Sequence, residues 1–154
     1  MLKLSKKIEY ALIAMLDLAN RNKYDLVTTK SLATNYHIPQ EILGKVLQSL
    51  SKKGLLESVQ GVKGGYMLSG SIDEINIRDV IEAVEGPITL ISCSTGNLCE
   101  CEQIARCNIK TPMEIIQYEL AEFFREISLR DVKDRYKNLF PVKYYGVEES
   151  TSTN

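Results

Sequence analysis

Cys93, Cys99, Cys101 and Cys107 fall within fifteen residues of one another, and the chain has no other cysteine. Thiolates select zinc, copper(I) or iron–sulfur clusters. No Cys-x2-Cys pair occurs, which disfavours an ordinary zinc knuckle. The intervening spacings of five, one and five residues suit a loop wrapped around a larger object such as a cluster. Glu100 and Glu102 sit beside these thiols and disfavour free reactive thiolates. The only histidine, His37, lies in a turn between two helices and is expected to contact phosphate or water.

A second group of residues suits DNA. Gln40, Glu41, Lys45 and Gln48 point away from the apolar stripe of one helix. Gln pairs with adenine, Lys reads guanine, and Glu accepts from cytosine. Ser5, Lys6, Thr28 and Thr29 stand at or near helix starts, where they can meet phosphates. Gln60, Lys63 and the glycines Gly61, Gly64 and Gly65 form a turn whose bare backbone can approach a sugar-phosphate chain.

These residues need elements to position them. Ile8, Leu12, Met15, Leu16 and Ala19 share one face of a predicted helix over 6–21, with Ser5 as N-cap. A second helix is expected over Thr29–Tyr36. A third spans Pro39 to Lys53, with Ile42, Leu43, Val46, Leu47 and Leu50 as its stripe and Gly54 as its terminator. Leu55 to Gln60 and Gly65 to Leu68 read as the strands of a hairpin. Helix, helix-turn-helix and hairpin make the winged helix-turn-helix order.

Asn76 is the expected cap of a fourth helix, which carries Ile77, Val80, Ile81 and Val84 and stops at Gly86-Pro87. Thr111 is the expected cap of a fifth, with Pro112 at its first position. Met113, Ile116, Leu120, Phe123 and Ile127 then recur at spacings of three and four, an a/d seam that is expected to dimerise. Ser128 to Asp131 resembles a capping box opening a short helix through Leu139. The fold class is therefore mainly α (α+β). The expected organisation is a DNA-binding domain over 1–70, a connecting helix over 71–91 and a cysteine loop over 92–110. The dimerisation and C-terminal helices follow over 111–147, with a polar tail over 148–154.

The chain has 154 residues, 44% hydrophobic and 25% charged, which excludes wholesale disorder. No apolar run reaches the ~18 residues of a membrane span, and the N-terminus is no signal-peptide core, so a cytoplasmic protein is expected. Net charge is −1, yet residues 1–70 hold ten Lys/Arg against five Asp/Glu, and residues 71–154 hold nine against fifteen. A basic first half suits a polyanion. No catalytic constellation is visible, so an enzyme is not expected. A non-regulatory metalloprotein is the weaker alternative.

The chain resembles the family of winged-helix repressors that includes the iron–sulfur cluster regulator IscR, the nitric oxide sensor NsrR, the iron regulator RirA and the cysteine-metabolism regulator CymR. The matching stretches are Leu4 to Leu12, Ile38 to Leu50, Gly54 to Val59, Gly64 to Leu68, Ile77 to Pro87 and the cysteine loop. The resemblance implies a homodimer with crossing fifth helices on a palindromic double-stranded operator. It also implies that three loop cysteines bind a 2Fe–2S or 4Fe–4S cluster, the former preferred. The fourth ligand varies in the family. Glu9 stands where some members supply an acidic ligand from the other subunit's first helix; others use a histidine just after the last cysteine, which this chain lacks, so the resemblance points to Glu9 or to the extra cysteine. Cys93 and Cys107 match the outer cysteines, and either Cys99 or Cys101 matches the middle one. The family's wing reads Arg-Gly-Pro-Gly-Gly-Gly-Tyr, where this chain has Gln60-Gly61-Val62-Lys63-Gly64-Gly65-Tyr66. The implied activity is transcriptional repression. Cluster gain, loss or oxidation would move the loop, then the fourth helix and wing. A cluster-free regulator signalling through a partner or thiol oxidation is the alternative.

Overall fold

A computed structural model describes residues 3–91 and 101–135. Helix α1 spans Lys6–Ala19, and the Ser5 hydroxyl accepts the Ile8 N–H at 3.4 Å. Ile8, Ala11, Met15 and Leu18 face inward at helical spacing and are buried. Helix α2 covers Thr29–Tyr36, capped by Thr28 Oγ1, which accepts the Ser31 N–H at 3.1 Å. It ends because His37 takes a left-handed conformation with φ 52°. That lets the Ile38 N–H reach back to the Ala33 carbonyl at 3.0 Å. The lone histidine thus shapes the turn between α2 and α3.

Helix α3 spans Gln40–Lys52, with Pro39 at the cap position rather than the first helical one. Gly54, at φ 76°, closes it. The Gly54 N–H bonds the Ser51 carbonyl at 2.9 Å and the Leu55 N–H bonds that of Leu50 at 3.0 Å, a Schellman end. Leu43, Val46, Leu47 and Leu50 are buried, whereas Ile42 is 40% exposed. The expected stripe is one residue too wide. Ile42 lies roughly 100° round the helix from Leu43, on the flank of the buried face.

Strands β1 (Leu56–Val59) and β2 (Gly65–Leu68) pair antiparallel, Leu56 against Leu68 and Val59 against Gly65. Val27 adds a third chain to the hairpin by exchanging both backbone bonds with Tyr66, at 3.0 and 2.9 Å. This explains two glycines. A Cβ on Gly64 would stand 2.1 Å from the Val59 carbonyl oxygen, and one on Gly65 would stand 2.8 Å from that of Val27. Bare backbone is required here by the chain itself.

Helix α4 runs over Ile77–Glu85, and Asn76 Oδ1 accepts the Asp79 N–H at 2.9 Å as expected. It packs on α1 and α3 through the buried Ile77, Val80 and Ile81. A single 3-10 turn, Ile104–Arg106, precedes helix α5, Lys110–Glu126. Helix α5 begins before Thr111 and has no side-chain cap bond. Pro112 therefore sits third in the helix, where its missing N–H still costs no intrahelical bond. Helix α5 lies on α4. Arg78 bridges the two helices, 2.8 Å from Glu82 and 2.9 Å from Glu122.

The far end of α5 is tied down by backbone. The Ile77 N–H bonds the Ile127 carbonyl at 2.9 Å and the Leu129 N–H bonds that of Ile75 at 2.8 Å. The Ser128 capping box forms, with Asp131 Oδ2 accepting the Ser128 N–H at 3.0 Å and Ser128 Oγ accepting the Asp131 N–H at 3.1 Å. It opens a π-helical turn, Asp131–Arg135. Arg130 pairs with Asp73, and Lys133 Nζ donates to the Ala19 carbonyl at 2.8 Å, at the C-terminal end of α1. The expected continuation to Leu139 and the tail over 148–154 lie outside the described residues.

Candidate nucleic-acid interface and cysteine segment

The α2–α3 pair and the β1–β2 hairpin put the basic half's polar side chains at the surface. Gln40, Glu41, Lys45 and Gln48 are all exposed on α3. Lys45 and Glu41 pair at 3.2 Å with both side chains largely in solvent, so the pair is weak and can exchange partners. Lys63 and Gln60 are exposed at the hairpin turn, where Gly61 has φ 115°, and Gly64 is half-buried. Ser5 and Thr28 spend their hydroxyls as helix caps, and Thr29 is half-buried at the first position of α2. Lys6 donates to Glu9 at 2.5 Å, and that hydrogen bond raises the lysine's pKa above its ordinary value. Sequence reasoning missed Val62, which is fully exposed at the hairpin turn. It also placed Ile42 in the core. Helical angle alone, read more finely, separates Ile42 from the buried row.

Cys101 and Cys107 flank the 3-10 turn and are half-buried free thiols, with Cys101 Sγ 3.7 Å from Gln103 Oε1. Cys93 and Cys99 lie outside the described residues. Among the described residues, no three His, Cys, Asp or Glu side chains converge as a metal site. Glu9, half-buried on α1, is therefore not gathered with Cys101 and Cys107 within one chain. The donor set is soft, four thiols in one short segment, and its chemistry fits an iron–sulfur cluster better than a hard cation. Both ends of the segment lead to α5. Cys107 precedes Lys110 by three residues, and Leu90, three residues before Cys93, gives its N–H to Gln117 Oε1 at 2.9 Å. Gln117 carries no signal in sequence, being one more polar residue on an amphipathic helix. A cavity of about 480 Å³ lies beside this anchor, between α1, α4 and α5, lined by Leu4, Ile8, Ile81, Leu90, Leu120 and Phe124 among others.

The expected seam on α5 divides. Ile127 packs on the core, Met113 and Leu120 are half-buried, and Ala121 and Phe124 turn inward. Ile116 and Phe123 are 51% and 56% exposed. Ile109, one heptad before Ile116 and equally bare at 56%, extends the open stripe and was not anticipated. No helix among the described residues is long and apolar enough to cross a membrane.

The comparisons with known proteins agree with this geometry. The Rrf2 family, described as iron-dependent transcriptional regulators, matches residues 4–135. A protein of Aquifex aeolicus (strain VF5), provisionally described as a helix-turn-helix transcriptional regulator, is 33% identical over 142 residues, 90% of this chain and 96% of that one. The regulator NsrR of Bacillus licheniformis is 29% identical, over 85% of this chain and 92% of its own. Among solved structures, CymR, the global cysteine regulator of B. subtilis, superposes with a TM-score of 0.67 at 27% identity, covering 88% of this chain and 98% of that one. The expected winged-helix fold is confirmed, and the relatives are regulators rather than enzymes. The chain belongs to the Rrf2 family of DNA-binding transcriptional regulators.

Proposed function

We propose that this regulator is a repressor whose operator affinity is governed by an iron–sulfur cluster, a 2Fe–2S centre, held by the segment from Cys93 to Cys107. Four cysteines within fifteen residues of sequence, just ahead of a helix with an open apolar stripe, carry this reading. Cys93, Cys107 and one of Cys99 and Cys101 are the ligands, with Glu9 of the partner subunit as the fourth. When bound, the cluster supplies a group sensitive to iron, redox state and nitric oxide. The carboxylate is a harder and more easily displaced ligand than a thiolate, so one iron would be labile. Glu9 and Lys6 share one ion pair. Withdrawal of the Glu9 carboxylate to a ligand position therefore also releases the Lys6 ammonium towards phosphate. The active species is a cytoplasmic homodimer on a palindromic operator, each subunit offering one α3 to the major groove.

Anaerobic reconstitution with iron and sulfide, followed by absorbance and native mass spectrometry, tests the reading. The dimer should carry the mass of the cluster. Cys93→Ala and Cys107→Ala should abolish it, only one of Cys99→Ala and Cys101→Ala should do so, and Glu9→Ala should give a cluster that decays faster. Loss in all four cysteine variants with no effect of Glu9→Ala would make ligation all-thiolate within one chain. Stoichiometric zinc with refusal of iron and sulfide would remove the cluster reading. The likeness to CymR favours, as second reading, a cluster-free regulator that signals through thiol oxidation or a partner protein. Retention of operator control with no bound metal would select it.

A further inference from the structure

Outside its buried row α3 is polar except at one position on the flank. Gln40, Glu41, Lys45, Gln48, Ser49 and Lys52 lie outside the buried row, and Ile42 is the one large apolar side chain among them. Ile42 occupies the first turn of α3, three residues before Lys45, so the two side chains are neighbours on the helix surface. The first turn of the second helix of a helix-turn-helix is the part that reaches base edges. An isolated exposed isoleucine elsewhere would mean nothing. Here, its place beside Glu41 and Lys45 puts an aliphatic group on the surface that reads DNA.

We infer that Ile42 is a sequence-reading residue, packing its side chain on the C5-methyl group of a thymine in the major groove. That methyl is the one apolar feature the groove displays, and it distinguishes thymine from cytosine independently of hydrogen bonding. Polar neighbours read the adjoining base edges, and Ile42 adds an apolar requirement that none of them can impose. The contact also covers the part of Ile42 that the protein leaves in water.

The test removes only the methyl. The operator is selected from random duplexes with the wild-type protein, and each thymine in turn is then replaced by deoxyuridine. At one thymine per half-site the wild type should lose about fourfold in affinity, the contribution of one buried methyl group. Ile42→Ala should bind the thymine operator with a similar loss and be indifferent to deoxyuridine at that position. Ile42→Val should keep most of the discrimination. The inference is overturned if no thymine of the operator shows a methyl effect with the wild type, a measurement that needs no variant to fold. It is equally overturned if Ile42→Ala remains as sensitive to deoxyuridine as the wild type. Failure to select any sequence would instead count against operator binding itself.

Discussion

Replacing Ile116 and Phe123 together by Glu should convert the protein to monomers. Both side chains are about half exposed on α5, at 51% and 56%. Fully burying an Ile or Phe contributes roughly 1.5–3 kcal/mol, so covering the exposed half of each contributes about 0.8–1.5 kcal/mol. A symmetric pair of helices covers four such side chains, on the order of 3–6 kcal/mol. Losing that alone raises the dissociation constant by about two to four decades, and the facing carboxylates add repulsion. Leu120, the more obvious seam residue, is a poor choice because it lines the cavity against α1 and α4. Sedimentation across the micromolar range reads the mass, circular dichroism confirms that α5 persists, and operator binding should fall with dimerisation. A wild-type mass near 17.4 kDa at micromolar concentration, or a double variant as dimeric as the wild type, would refute the reasoning.

Lys45→Ala should weaken binding to the operator more than to random DNA, whereas Lys6→Ala and Lys63→Ala should weaken both and lower the salt slope by roughly one unit each; equal losses for Lys45 on both DNAs would make it a backbone contact. Gly64→Ala and Gly65→Ala should each cost about 1–3 kcal/mol in denaturant unfolding, because the added Cβ meets the backbone of Val59 or Val27; an unchanged midpoint would contradict that packing. Arg130 and then Ser71 hold the Asp73 carboxyl below its ordinary 3.8, so the stability this group contributes is present above that pH and lost as pH falls below it. Thermal melts of Asp73→Asn and wild type should therefore differ at neutral pH and converge in acid.

The elements legible in sequence were those set by local chemistry. Ser5 and Asn76 cap helices because a short oxygen side chain before an amphipathic run has one good use, and Gly54 ends α3 because only glycine takes its positive φ freely. What escaped was set by tertiary contact. The first residue of α5 moved from the expected Pro112 to Lys110, and the cap position from Thr111 to Ile109, although no side chain caps it. Ile42 is the exception, reading as core by its type although its angle round α3 already sets it off the buried row. Val27 joins the hairpin across many residues of chain, so Gly64 and Gly65 looked like glycines for DNA when their first demand is internal. Gln40, Glu41, Lys45, Gln48, Gln60 and Lys63 lie exposed as their polarity implies, but no property of Gln117 in sequence announced its bond to Leu90.

That bond bears on how a change in the cysteine segment travels. The sequence suggests a route through α4 and the wing. The geometry offers a shorter one. The segment leaves from Leu90, which Gln117 of α5 holds, and returns at Cys107, three residues before α5 begins. Both stems thus bear on the N-terminal half of α5, the half that carries Ile116 of the open stripe and follows directly on Ile109. The opposite end of α5 is fixed to the residues that lead into α4 by the Ile77–Ile127 and Leu129–Ile75 backbone bonds and the Arg130–Asp73 pair, and to the end of α1 by the Lys133–Ala19 bond. On the proposed cluster reading, a pull at the near end of this 17-residue helix, roughly 25 Å long, acts as a lever about the fixed far end. If two such helices cross, the pivot changes the separation of the two α3 helices, which half-sites one DNA turn apart must match. On the proposed cluster reading, operator affinity responds to the cysteine segment while each winged domain keeps its internal packing, because only the arrangement of the pair differs between the two states.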